Sequence, residues 1–436
     1  MRVPNLIYST IILFISNLIV RVIGFLYKIF LSNNITDTQL GIYHLAFNFL
    51  MICIALTTTG IPTALSCLVS KKKSSSNNTY FISTLYLAFC ISFFISVIVG
   101  FNDNYIASKI LHNENLSILI LAICPAIVLI TLSNILRGYF YGIKKVNPAA
   151  ISQVLEQVCK ILFVYLIVKY TNNPLTICLA AIIGISIGEC CSLVFMMFSL
   201  ANYKSFSHNY RLDIKQFIYA SYETIKMSLP ITFNRLSNII LNSFSSMIIP
   251  SRLALSGMSY NSALGIYGVI SGMVLPFIYL PFMMVSALIV NLIPSISLDV
   301  SNKNCKSVKQ KIYYSIILTF FIGILCSFIF YFWGEYIGEY IFNNKLSGLY
   351  LKYMCLVPLF LSSNHIISGI LHAIEKEYLA SIIGIASMFV QTTTLYFTLT
   401  IPKLNIYAYI ITLTVIPFIT LLINLFILSK YLKSIK

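Results

Sequence analysis

Apolar residues run along this chain in long blocks, with polar residues gathered between them. About 20 apolar residues cross a hydrocarbon core of roughly 30 Å. A bilayer offers no water to unpaired backbone groups, so blocks of this length predict helices. About twelve spans are expected, near residues 5–30, 41–69, 80–100, 117–141, 150–170, 174–200, 222–249, 264–292, 312–333, 347–371, 378–400 and 405–429. The first block carries polar residues within it. Asn17, Arg21, Gly24 and Lys28 fall at alternating steps of four and three, which makes one stripe on a helix. A cation facing lipid costs several kcal/mol, about 3 on insertion scales, so the stripe is expected to face a bundle interior or a wet cavity.

The polar connections predict orientation. Alternate loops hold Lys71–Lys73, Lys144 and Lys145, then Lys204, Arg211 and Lys215, then Lys303, Lys306, Lys309 and Lys311, then Lys376, then Lys430, Lys433 and Lys436. The loops between them hold Asp37, Asp103, Glu114, Glu335 and Glu339. Cations collect on the cytoplasmic side, so both termini are expected there, in a multi-pass protein of the cytoplasmic membrane. The first block lacks a small-residue cleavage site and reads as a retained span.

Composition sharpens this picture. The 436 residues are 58% hydrophobic and 9% charged, against about 25% charged in soluble domains. The net charge of +17 would point to nucleic acid in a soluble protein, but its placement makes it a topology signal. The eleven cysteines are scattered without zinc-ligand spacing and read as small core residues.

The chain also repeats itself. Leu40-Gly41-Ile42-Tyr43 opens the second span and Leu264-Gly265-Ile266-Tyr267 the eighth. The fourth carries Pro125, Ser133-Asn134, Gly138 and Lys145; the tenth carries Pro358, Ser363-Asn364, Gly369 and Lys376. The seventh repeats the stripe of the first, with Arg235, Asn238, Asn242 and Ser245 on one face. The expected domains are a six-helix N-terminal lobe at 1–200, a cytoplasmic linker at 201–221 and a six-helix C-terminal lobe at 222–436. Such repeats are an architecture for alternating access.

Three stretches carry a family resemblance. Arg21-Val-Ile-Gly24-Phe25 resembles the first-helix R-x-x-G-F of the multidrug/oligosaccharidyl-lipid/polysaccharide (MOP) exporter superfamily. Gly41-Ile-Tyr43 followed by Thr59-Gly60-Ile61-Pro62-Thr-Ala64-Leu-Ser66 resembles its second helix. Arg137-Gly138-Tyr139-Phe140-Tyr141-Gly142, with Asn147-Pro148-Ala149-Ala150-Ile-Ser152-Gln153-Val-Leu-Glu156-Gln157, resembles the turn from fourth to fifth helix. Together they are similar to the polysaccharide transport branch, most closely to the stage V sporulation protein B group. That group usually carries two further C-terminal spans beyond the twelve counted here. The resemblance implies an all-α, V-shaped, two-lobed flippase for an undecaprenyl-linked sugar or peptidoglycan precursor, serving spore cortex or another glycan. The partners it implies are the lipid-linked glycan, membrane lipids and cell-wall synthesis enzymes, with no nucleic acid.

A pyrophosphate head needs fixed cations in a wet cavity, where Arg offers a planar fork of donors and Lys a point charge. Arg21, Lys28 and Arg235 are the candidates, with Asn17, Asn238 and Asn242 beside them. Lys28 reads equally as snorkelling to the outer headgroups. Arg235 lies roughly 20 Å into its span, too deep for that. Glu156 and Lys160, at i and i+4, read as a local ion pair or as a cavity floor with Gln153 and Gln157. Glu223 and Lys226 read the same way. Glu189 sits mid-span after Gly184 and Gly188 with no cation within a turn of its own helix. It either finds a partner elsewhere or takes a proton, which makes it the candidate for proton or Na⁺ coupling. Pro62, Pro125, Pro230, Pro276, Pro281 and Pro358 interrupt helices as candidate bending points.

No enzyme constellation or Walker motif is present in the sequence, and no cofactor or metal is expected. Two other functions fit less well. A cation-coupled multidrug exporter of the same superfamily would want acidic cavity residues. A membrane glycosyltransferase or polymerase would want large outer loops with catalytic acids, whereas Glu335 and Glu339 beside Trp333 read as an interfacial boundary.

Overall fold

The computed structural model describes residues 3–71, 74–202, 214–302 and 304–434. Lys72, Lys73, Lys204, Arg211, Lys303 and Lys436, most of the expected linker, and the side chains of Pro230, Arg235 and Lys433 lie outside the described residues. The regular structure among the described residues is helical. The helices are α1 (Val3–Asn34), α2 (Asp37–Thr58), α3 (Ile61–Lys71), α4 (Ser74–Phe101), the one-turn α5 (Asp103–Tyr105), α6 (Ser117–Gly142), α7 (Val146–Tyr170) and α8 (Pro174–Ala201). They continue with α9 (Ile214–Leu255), α10 (Tyr260–Val269), α11 (Leu275–Ser301), α12 (Cys305–Phe342), α13 (Lys345–Tyr353), α14 (Val357–Ala373), α15 (Glu377–Thr398) and α16 (Asn405–Ser434). Ten stretches among the described residues are long and apolar enough to cross a membrane, eleven if α13 and α14, bent by 53°, count as one. The expected seventh span lies in α9, whose asparagines and serines make it more polar.

Caps and breakers set the helix ends. Thr36, Asn173, Ser259 and Asn344 each accept a backbone N–H of the first turn of the helix that follows. The second span breaks at Thr59-Gly60, between α2 and α3, just before Pro62. Pro358 stands in the first turn of α14, at the bend after α13. Pro125 stays inside an unbroken α6, and Pro281 inside α11. A five-residue π-helical turn, Ile270–Val274, joins α10 to α11 just before Pro276.

The chain divides into two compact units, Met1–Ser243 and Phe244–Lys436, so the long α9 runs from one into the other. In the first unit, Leu65, Leu68, Tyr80, Phe81, Leu136 and Tyr139 belong to one buried cluster. The start of α9 docks here: Tyr80 donates its hydroxyl to Glu223, and Thr84 meets Thr224 at 3.3 Å. In the second unit, Val285, Ile296, Ile312, Ile366, Ile370 and Leu421 form the corresponding cluster.

Glycines let helices touch backbone to backbone. A methyl group at Gly138 would stand 2.6 Å from the Pro62 carbonyl oxygen, which seats α6 on α3. One at Gly188 would stand 2.5 Å from the Glu156 carbonyl oxygen, so α8 lies directly on α7. Gly188→Ala should therefore force α7 and α8 apart and cost about 1–3 kcal/mol. Gly384→Ala, which meets nothing within 4 Å, should leave stability unchanged or slightly improved; thermal melting of the purified protein in detergent compares the two.

Candidate functional site

Three helices of the first unit bring charged residues together inside it. Arg137 comes from α6, Glu156, Gln157 and Lys160 from α7, and Glu189 and Ser192 from α8. Helix direction explains the meeting. Side chains tilt toward the start of their own helix. Arg137 lies about 8 Å before the end of α6 and Glu156 about 15 Å after the start of α7. On antiparallel neighbours the long Arg137 side chain therefore leans deeper, Glu156 leans back, and the two meet.

Arg137 Nη2 donates to Glu156 Oε2 at 2.8 Å, to Glu189 Oε2 at 3.1 Å and to Ser192 Oγ at 3.0 Å. Its Nη1 donates to Asn134 Oδ1 at 3.3 Å, while its buried Nε–H has no acceptor among the described residues. Ser133 donates to the Glu189 carbonyl oxygen at 3.4 Å. The Arg137 and Glu189 side chains are only 10% and 5% exposed; Glu156, at 18%, is the outermost of the three. Gln157 donates to the other carboxylate oxygen of Glu156 at 3.0 Å and accepts from Lys160 Nζ at 2.7 Å. The result is one connected chain, Lys160–Gln157–Glu156–Arg137–Glu189. Two cations and two carboxylates neutralise one another where isolated charge costs several kcal/mol per ion, about 3 at least.

α1 lies against the outer edge of this network. The Tyr27 ring, buried in α1, carries Lys160 Nζ 4.7 Å from its centroid. A methyl group at Gly24 would stand 4.0 Å from Gln157 Oε1. Asn17, Arg21 and Lys28 are exposed on the surface of the unit, next to the half-buried polar residues Gln153, Glu156, Gln157 and Lys160 of α7. The stripe is thus not packed into the unit's own interior.

Residues 6–297 match the family described as polysaccharide biosynthesis protein. The chain belongs to this family, a branch of the MOP superfamily. Stage V sporulation protein B of Bacillus subtilis (strain 168) is 23% identical over 412 residues, covering 91% of this chain and 78% of that protein. The fold is similar to lipid II flippase MurJ in an inward closed conformation, with TM-score 0.75 and 18% identity over 98% of this chain and 90% of that one. It is also similar to an inward-facing multidrug resistance MATE family transporter of the MOP superfamily, with TM-score 0.73 and 14% identity over 94% and 95%. The family member described here is a multi-pass membrane protein of a transporter superfamily.

Against the sequence expectations, the site is rearranged. Glu156 is drawn across to Arg137 of α6, and Lys160 turns to Gln157 on its own helix and to the Tyr27 ring of α1, so Gln157 bridges the two residues expected to pair directly. Glu189 has found its cation on another helix. In α9, Asn238 is half-buried, Asn242 is exposed and Ser245 is buried against Thr392. Glu335 and Glu339 pair with Lys352 at 2.7 Å and Lys345 at 3.7 Å.

In the sequence Arg137 stands out only as part of the motif Arg137-Gly138-Tyr139-Phe140-Tyr141-Gly142, not as a site residue. The unpaired Glu189 was the signal: a mid-span carboxylate demands a cation, and Arg137 is a deep one on a nearby span. Arg137→Ala should leave both carboxylates buried without their partner and destabilise the protein by about 3–5 kcal/mol. Adding Glu189→Gln to that variant should recover part of the loss, read by detergent melting and gel-filtration recovery.

Proposed function

We propose that this protein moves an undecaprenyl-pyrophosphate-linked glycan or peptidoglycan precursor from the inner to the outer leaflet of the cytoplasmic membrane, by alternating access of two six-helix lobes. Both termini are cytoplasmic in this reading, which the alternation of basic and acidic loops supports. The observation that carries it is the exposed cationic face of α1, with Arg21 and Lys28, beside the polar row of α7. A diphosphate recognises such fixed cations, arginine above all. Arg235, Asn238 and Asn242 are the proposed contribution of α9. The family match and the similarity to stage V sporulation protein B and to lipid II flippase MurJ support the substrate class and a role in spore cortex synthesis. Glu189 is the proposed coupling carboxylate, for a proton or Na⁺, with Glu156 and Lys160 at the cavity floor. No enzymatic step is assigned, and cell-wall synthesis enzymes are the proposed partners.

A second reading is a cation-coupled multidrug exporter, favoured by the likeness to the MATE fold and by the buried Glu189. It ranks second because the exposed charges of α1 are basic, which repels organic cations.

Cells lacking the protein should accumulate a polyprenyl-pyrophosphate glycan on the cytoplasmic leaflet during growth or sporulation, measured by leaflet-resolved lipid analysis. Replacing Arg21 and Arg235 together by Gln should reproduce that accumulation at unchanged expression. Each lost charged contact costs about 1.5–3 kcal/mol of binding. Normal precursor distribution in both strains, with drug efflux that rises with expression, would establish the exporter instead.

A further inference from the structure

The guanidinium of Arg137 stands where a metal ion between the two carboxylates would have to sit. Its Nη2 is 2.8 Å from Glu156 Oε2 and 3.1 Å from Glu189 Oε2. Arginine stays charged throughout the accessible pH range, so this seat cannot be vacated by deprotonation. The remaining oxygen of Glu156 is taken by Gln157. Sodium therefore has no place between these groups without first expelling a permanent cation.

A proton needs no such space. Nη2 carries two hydrogens, yet Glu156, Glu189 and Ser192 all stand within 3.1 Å of it. One acceptor is in surplus. The carboxylates of Glu156 and Glu189 are thus both held on this one nitrogen, at 2.8 and 3.1 Å, which makes them close neighbours. Two ionised carboxylates on one guanidinium nitrogen repel each other, and one proton held by the pair relieves that repulsion. The charged groups around Glu189 are Arg137 of α6, with Tyr141 behind it, Glu156 and Lys160 of α7 and, next to Lys160, Lys28 of α1. α1 and α2 bring Tyr27 and Tyr43 to α8 at Cys178, about three turns from Glu189. With both carboxylates ionised the network of Arg137, Lys160, Glu156 and Glu189 is neutral; one proton leaves it with a charge of +1.

We propose that Glu156 and Glu189 together hold one exchangeable proton, not a sodium ion, and that its uptake strengthens binding of a diphosphate by the cations on this face of the first unit. The proton comes from water and returns to it, and no other bond changes. The second half of the proposal rests on the lipid-linked substrate reading above, so the two halves are tested separately.

The first measurement uses the full chain in lipid nanodiscs without any substrate. Infrared difference spectra between acidic and neutral buffer, in sodium and in choline salts, should show one protonated-carboxyl C=O band that shifts on deuteration. The band should vanish in Glu189→Gln and be the same in both salts. A band that survives Glu189→Gln, or that sodium abolishes at fixed pH, overturns the one-proton site. If Glu189→Gln does not fold, Glu156→Gln and the wild-type salt comparison decide it in the same way.

The second measurement is calorimetric binding of a short polyprenyl-diphospho-N-acetylglucosamine, a diphosphate diester with no titration of its own near neutrality. Its affinity should fall about tenfold per pH unit above the midpoint of the infrared band in wild type, and be independent of pH in Glu189→Gln. Binding that ignores pH in wild type overturns the link between proton and diphosphate. Absence of binding at every pH, with the infrared band behaving as described, overturns the diphosphate reading and leaves the proton site standing.

Discussion

Charge in a low-dielectric interior must be matched at close range, and in this protein that demand ties three helices together. Arg137 reaches Glu156 and Glu189 on two neighbouring helices at 2.8 and 3.1 Å. Breaking such a set by removing one member costs far more than the set contributes as a whole. Its geometry is sensitive to register. A slip of α7 or α8 by one residue would carry a carboxylate off the guanidinium. The close α7–α8 contact at Gly184 and Gly188 holds the same register from the packing side. Where Gly188 admits the Glu156 backbone, Glu189 is delivered to Arg137.

The internal repeat shows how the same residues serve two ends. Ser133-Asn134 in α6 belong to the charged network: Ser133 holds the Glu189 backbone and Asn134 accepts from Arg137. Ser363-Asn364 mark the corresponding place in α14. There Asn364 donates to the Pro417 carbonyl oxygen at 2.7 Å and accepts from Asn424 at 2.9 Å. Ser368 stands before Gly369 where Arg137 stands before Gly138. The second unit thus uses a neutral amide network at this level, where the first holds Arg137, Glu156 and Glu189. Pseudo-symmetry of chain path does not require symmetry of electrostatics, because each unit satisfies its own buried polar groups.

α1 contributes in a different way from α6, α7 and α8. Its contacts with the network include the Tyr27 ring under Lys160 and Gly24 facing Gln157. A cation over a ring is a weaker tie than a salt bridge. The exposed cations of α1 sit beside the half-buried polar row of α7.

The sequence by itself determined what depends on one helix at a time. Span length follows from the hydrocarbon thickness, so the long apolar blocks were legible as helices, and the order of motifs identified the superfamily. Local breakers were partly legible: α2 ends just before Gly60 and Pro62, whereas Pro125 stays inside an unbroken α6. Partners were not legible. Glu156 and Lys160 share a helix face at i and i+4, a spacing that suggests mutual pairing, yet Arg137 offers Glu156 a stronger, forked donor from across the interface. Which cation answers Glu189 depends on how α6, α7 and α8 are laid against one another and how far each side chain leans along its helix. Only the tertiary structure decided that, because a buried charge selects its partner by proximity in space and not along the chain.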